Sequence, residues 1–150
     1  MKITPLFLSL GLMSLLGMPL TADDKADVQA AIKGYVHGFY LGDASLLEKH
    51  VHTSMRKIGW YRGAGDKAYK GPYSMTQKSA MEFAPGWGSK FDPGKDGHMV
   101  ITIFEIMDKV ASAKVEAHWG VDFFHLAKSE EGQWQIYNII WQSHSDGKLK

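Results

Sequence analysis

The last third of the chain fixes most of what it can become. Ala111, Ala113, Val115 and Ala117 alternate with Ser112, Lys114, Glu116 and His118. That period of two gives a β-strand one face of small apolar residues and one polar face. The stretch Met99 to Met107 before it is apolar and β-branched, and Asp108-Lys109 between them reads as a hairpin turn. Asp122 to Lys128 and Trp134 to Ser143 predict a second strand pair, joined by Ser129-Glu-Glu-Gly-Gln.

The earlier part has the other periodicity. Asp24 and Asp27 suit the first turn of a helix, where acid meets the positive end of the dipole. Val28, Ala31, Ile32, Tyr35, Val36 and Phe39 then recur at helical spacing, and Gly42 supplies a stop. Asp43 caps a short helix carrying Leu46 and Leu47, and Met55 to Tyr61 reads as a strand. Arg62 to Pro72, with three glycines and a proline, predicts a loop. Ser74 and Gln77 have capping-box spacing, which predicts a third helix to Ala84 with Pro85-Gly86 as its stop. Pro85 to Gly97 is expected to be a surface loop, with a lid as the alternative. Helices first and antiparallel hairpins last make an α+β domain.

The 150 residues are enough for one domain, and 17 basic against 16 acidic residues leave a net charge of +1 with no basic run. A phosphate-backbone binder needs a concentrated basic face, so nucleic acid is not an expected partner. Lys2, the apolar stretch Ile3 to Leu16 and the small residue Ala22 have the pattern of a secretory signal peptide. The expected organisation is a signal peptide over 1–22 and a folded domain over 23–150, periplasmic or secreted, with no membrane attachment after cleavage. The chain has no cysteine, so disulfides and thiolate metal sites are excluded.

The order of elements resembles the nuclear transport factor 2-like fold. Four segments carry a closer likeness: Tyr35 to Asp43, Val110 to Val115, Asp122 to Lys128, and Gly132 to Trp141 with its run Gln-Trp-Gln-Ile-Tyr-Asn-Ile-Ile. They are similar to the bacterial family labelled putative lumazine-binding. The resemblance implies a cone: three N-terminal helices on a strongly bent antiparallel sheet, a hydrophobic cavity open at one end, and an outer sheet face that makes a homodimer. It does not fix activity, because isomerases, dehydratases, cyclases and pure binding proteins share the fold.

Ketosteroid isomerase is the best-understood enzyme on this fold. The likeness places Tyr35 where that family has its oxyanion-hole tyrosine, His125 where it has the protonated aspartate, and Trp141 at a pocket tryptophan. The carboxylate base of such an isomerase falls at Ile58 or Gly59, and neither can take a proton. By strand alternation Phe123, His125 and Ala127 share one face and Asp122, Phe124 and Leu126 the other; the resemblance turns the His125 face inward. His125 and Tyr35 are therefore the candidate catalytic residues, for proton transfer near neutral pH. The candidate ligand-binding set is Tyr35, Phe39, Val51, Phe123, His125, Tyr137 and Trp141, an aromatic lining for a small apolar or aromatic molecule.

Other groups carry less. Glu105 interrupts an apolar strand and is expected on the outer face with Lys114 as its cross-strand partner. His50 and His52 are two apart, but no third ligand lies nearby, so no metal site is expected. There is no phosphate-cradling loop or nucleophile elbow. The leading expectation is an exported, cofactor-free small-molecule-binding protein. The alternatives are a cofactor-independent lyase or isomerase using His125 and Tyr35, and a dimeric protein-interaction domain.

Overall fold

The structure, a computed structural model, describes residues 23–91 and 97–149. The expected signal peptide and part of the expected 85–97 loop lie outside the described residues. The first helix, α1 (Asp23–Tyr40), buries Val28, Ala31, Ile32, Tyr35, Val36 and Phe39, the stripe that the helical spacing predicts. Gly42 follows with φ +66°, the left-handed backbone that glycine adopts without a Cβ penalty. Asp43 caps α2 (Ala44–His50) by accepting from the Ser45 N–H at 2.9 Å.

Strand β1 (Val51–Tyr61) starts four residues earlier than expected, directly on leaving α2. The segment expected to be a loop up to Pro72 instead contains the start of a strand, β2 (Lys70–Thr76), antiparallel to β1. Gly71-Pro72 obscured it. The proline is tolerated because β2 lies at the edge of the sheet, where a missing N–H breaks no inner ladder.

The capping box is real but sits two residues on from Ser74 and Gln77. Ser79 N–H donates to Thr76 Oγ1 at 3.3 Å, and Thr76 N–H donates to Ser79 Oγ at 2.8 Å. Helix α3 (Gln77–Phe91) then runs through Pro85 rather than stopping there. Tertiary packing outweighs the lost rung. Trp87 stacks on Tyr40 with ring centroids 6.0 Å apart, and Gly88 lies so close to Gly42 that an added Cβ would be 2.6 Å from its backbone nitrogen.

Two hairpins complete the domain: β3 (Met99–Ile106) with β4 (Val110–Ala117), and β5 (Gly120–Lys128) with β6 (Trp134–Ser143). One six-stranded sheet results, in the order β2-β1-β6-β5-β4-β3, antiparallel throughout except that β1 and β6 pair in parallel. Its inner face packs on the helices. Cross-strand register organises that face into rows. Ala113, Phe124, Ile139, Lys57 and Met75 form one; Val115, Asp122, Trp141, Gly59 and Tyr73 form the next. Ala111, Ala113, Val115 and Ala117 all point inward and are buried, as their alternation predicts.

Glu105 is exposed on the outer face, but its partner is Ser112. A bulge between Ile103 and Glu105 shifts the register, so Lys114 faces Thr102 instead.

Candidate functional site

The two inner rows put an unusual pair of residues at the centre of the domain. Lys57, from β1, and Asp122, from β5, have side chains only 8% and 0% exposed. The Lys57 ammonium donates to Asp122 Oδ2 at 3.1 Å and to Tyr35 Oη at 2.6 Å. The Tyr35 hydroxyl donates to the same Asp122 oxygen at 2.7 Å. The other carboxylate oxygen accepts from Trp119 Nε1 at 2.8 Å. Three donors on one carboxylate and a paired cation offset the cost of burying these groups.

Aromatic rings enclose the cation. Lys57 Nζ lies 4.9 Å from the ring centroid of Trp141 and 5.3, 5.4 and 5.5 Å from those of Tyr35, Trp119 and Phe39. Ring faces attract a positive charge, most strongly where water is excluded. Burial pushes the Lys57 ammonium below the ordinary lysine range, and the Asp122 charge and hydrogen bond oppose that shift. Burial, then the Asp122 charge, holds the Tyr35 hydroxyl well above its ordinary value.

Above this group opens a cavity of about 350 Å³. Phe39, Lys57, Trp119 and Trp141 line it with Trp87, Phe83 and Met75; Tyr61, Tyr73, Ser74, Gly147 and Leu149 complete the lining. Local structure makes the room. Gly59 faces inward opposite Trp141, where an added Cβ would be 2.2 Å from the indole, so the indole occupies the space that a side chain at 59 would take. The turn between β4 and β5 aims Trp119 back at Asp122, three residues on.

The expected site residues divide. Phe39 and Trp141 line the cavity. Tyr35 is fully buried beneath it and reaches it through Lys57. Val51 is fully buried in the core away from the lining, and Tyr137 stacks on His52 at 4.1 Å. The orientation of β5 is the reverse of the expectation: Asp122, Phe124 and Leu126 face inward, whereas Phe123 and His125 are exposed on the outer face.

The reason is register. Phe124 lies opposite Ala113 and Asp122 opposite Val115, both on the buried face of β4, while His125 lies opposite Ser112. A one-residue offset in the likeness to the isomerases is enough to turn every side chain over. His125 Nδ1 is 3.4 Å from Asn138 Nδ2, beside a shallow surface depression with Glu105 and Ser112.

Lys57, Asp122 and Trp119 were absent from the expected set. The signal for Lys57 was present: Met55, Lys57 and Gly59 alternate on one face of a strand whose other positions are Arg56, Ile58 and Trp60. Among the described residues no group of three or more histidine, cysteine or acidic side chains could hold a metal.

A second buried tyrosine, Tyr40 on α1, bridges the start of β3 and the end of β4. Tyr40 Oη donates to the His98 carbonyl and accepts from the His118 N–H at 2.7 Å. Burial raises its pKa from 10.0 to about 12. Since the folded value lies above the unfolded one, its contribution to stability is complete below pH 10 and is lost as pH rises to about 12. Tyr35 acts in the same direction. Lys57, whose folded value is lowered, adds stability with rising pH only up to its unfolded value of 10.5. The urea midpoint is therefore expected to fall as pH climbs from 10.5 towards 12. A level midpoint would show that both hydroxyls ionise as freely folded as unfolded.

Solved structures with the same architecture are known. One from Silicibacter pomeroyi, described as an NTF-2 like protein of unknown function, is 16% identical with a TM-score of 0.63, over 81% of this chain and 97% of that one. One from Methylobacillus flagellatus, an NTF2-like protein of unknown function, is 24% identical with a TM-score of 0.56, over 85% and 97%. A ketosteroid isomerase-like protein from Erwinia carotovora is 15% identical with a TM-score of 0.54, over 83% and 99%. No curated protein matches the chain. The fold is thus α+β and nuclear transport factor 2-like. Residues 23–142 match the family described as "Putative lumazine-binding", and the chain belongs to that family.

Proposed function

We propose that the protein is an exported small-molecule-binding protein whose aromatic cavity takes a flat, largely apolar molecule with a hydrogen-bond acceptor seated on Lys57. The carrying observation is a buried cation lining an aromatic cavity with two of its three N–H groups engaged, by Tyr35 and Asp122. Apolar walls with one fixed polar group give orientation along with affinity. The family's description supports a small-molecule ligand. The outward position of His125 removes the support for the lyase or isomerase reading that rested on it.

Trp87, Trp119 and Trp141 line the cavity, so intrinsic fluorescence reports occupancy. Titration with lumazine and with naphthol should give saturable quenching by at least one of them. Trp141→Ala should weaken that binding about tenfold, the equivalent of ~1.4 kcal/mol of lost ring contact. No saturable change with either probe would remove the basis of the reading.

The outer face of the sheet supports a homodimer. Phe123 is 48%, Ile140 50% and Phe104 54% exposed, with Phe104 and Phe123 stacked at 6.3 Å. Phe123, Ile140 and Ile58 continue one cross-strand row. A second copy is the natural cover for such a row. For export, the support is the signal-like pattern of Lys2, the apolar stretch Ile3 to Leu16 and the small residue Ala22. Native mass spectrometry of protein recovered from the periplasm should show a dimer of chains starting at Asp23, and Phe123→Asp should convert it to monomer. An unprocessed chain would overturn the export reading. A wild-type monomer would overturn the dimer.

A further inference from the structure

The same Lys57 is placed for covalent chemistry that hydrogen bonding alone does not need. We propose that Lys57 captures carbonyl compounds: its amine condenses reversibly with an aldehyde or ketone on the flat molecule in the cavity, giving a protonated imine held against Asp122. This deepens the binding reading above and rests on it.

Four observations converge. Lys57 is the one lysine lining the cavity among the described residues, and its two engaged N–H groups point away from the lining, at Tyr35 and Asp122. Its side chain is 8% exposed, and an imine in a dry site is protected from the water that reverses it in solution. An acceptor for the released proton is in place, Asp122 Oδ2 at 3.1 Å. The charge is already balanced: Asp122 matches the Lys57 ammonium, so a ligand carboxylate would add an uncompensated negative charge among aromatic walls, whereas a neutral carbonyl adds none.

The step balances without a further reactant. The ammonium passes one proton to Asp122, and the freed nitrogen pair attacks the carbonyl carbon while the carbonyl π pair moves to oxygen. The nitrogen gives a second proton and Asp122 returns the first, so the oxygen leaves as water and the C=N bond forms. The nitrogen keeps one hydrogen and a positive charge. Asp122 therefore faces a cation before and after, and so do the four surrounding rings.

The test uses naphthaldehyde and its alcohol, naphthylmethanol, with the whole mature protein. Fluorescence titration measures occupancy of the cavity by either compound. Borohydride added to the aldehyde mixture then reduces any imine to a stable amine, and peptide mass spectrometry locates it. The expected result is saturable quenching by both compounds and one added naphthylmethyl group on the Lys57 peptide, well ahead of the exposed Lys78 and Lys109. In Lys57→Arg, which keeps the charge but cannot form an imine, that added mass should vanish. Quenching by both compounds with no label at Lys57 would overturn the capture and leave the binding reading standing. Quenching by neither would overturn both. Labelling of Lys57 no faster than Lys78 would show ordinary surface reactivity and overturn the proposal; this comparison needs only the wild-type protein, so it holds if Lys57→Arg fails to fold.

Discussion

Asp122→Ala is expected to cost about 3–5 kcal/mol, because it leaves the Lys57 ammonium buried with no counter-charge. The opposite truncation, Lys57→Met, should cost clearly less. The carboxylate that remains still accepts from Tyr35 and Trp119, whereas the ammonium left by Asp122→Ala keeps the Tyr35 oxygen as its one hydrogen-bond acceptor beside the surrounding rings. The double variant Lys57→Met with Asp122→Leu should recover most of the loss, since replacing both partners removes the unmatched charge along with the bond. Urea unfolding of the three variants measures this order. Near-wild-type stability of Asp122→Ala would mean that Lys57 sheds its proton or reaches water in the folded chain, and the site would then contain no obligatory ion pair.

Gly120→Ala should cost about 3 kcal/mol and also weaken ligand binding. Gly120 opens β5 with φ +153°, a conformation that L side chains rarely adopt, and an added Cβ would be 2.1 Å from the Gln142 carbonyl oxygen. That atom is backbone of a paired strand and cannot swing aside, so the strain moves the turn. Trp119 sits in that turn and holds one oxygen of Asp122. Thermal unfolding with fluorescence titration on the same sample separates the two effects. Lost stability with unchanged affinity would show that Trp119 is positioned independently of its neighbour.

The parts of this fold that could be read from the sequence are those governed by near neighbours. The stripe on α1, the stop at Gly42, the cap at Asp43 and the alternation on β4 each depend on residues within a turn or two. Two elements were hidden by residues that usually end structure. Gly71-Pro72 masked β2, and Pro85 masked the last part of α3, because edge position and packing on Tyr40 and Gly42 are invisible locally.

The site was harder for a different reason. Alternation tells which residues share a face but not which face is inside; the resemblance turns His125 inward, whereas the sheet turns it outward. The small apolar face of β4 would have settled the question had β5 been paired to it in register. Lys57 and Asp122 are each costly to bury alone; only their meeting across 65 positions makes burial tolerable.

That separation also sets an order of events during folding. Tyr35 and Asp122 are 87 positions apart, and Trp141 arrives on the last strand, which must slide in beside β1 in parallel. Such distant pairings form slowly and late. Until β6 docks, an emerging chain presents an unmatched amine and an open aromatic groove, a surface suited to chaperone capture. On the proposed binding role, a chain stalled or trimmed before its final strand would have no cavity to fill, and a ligand would stabilise only the finished fold.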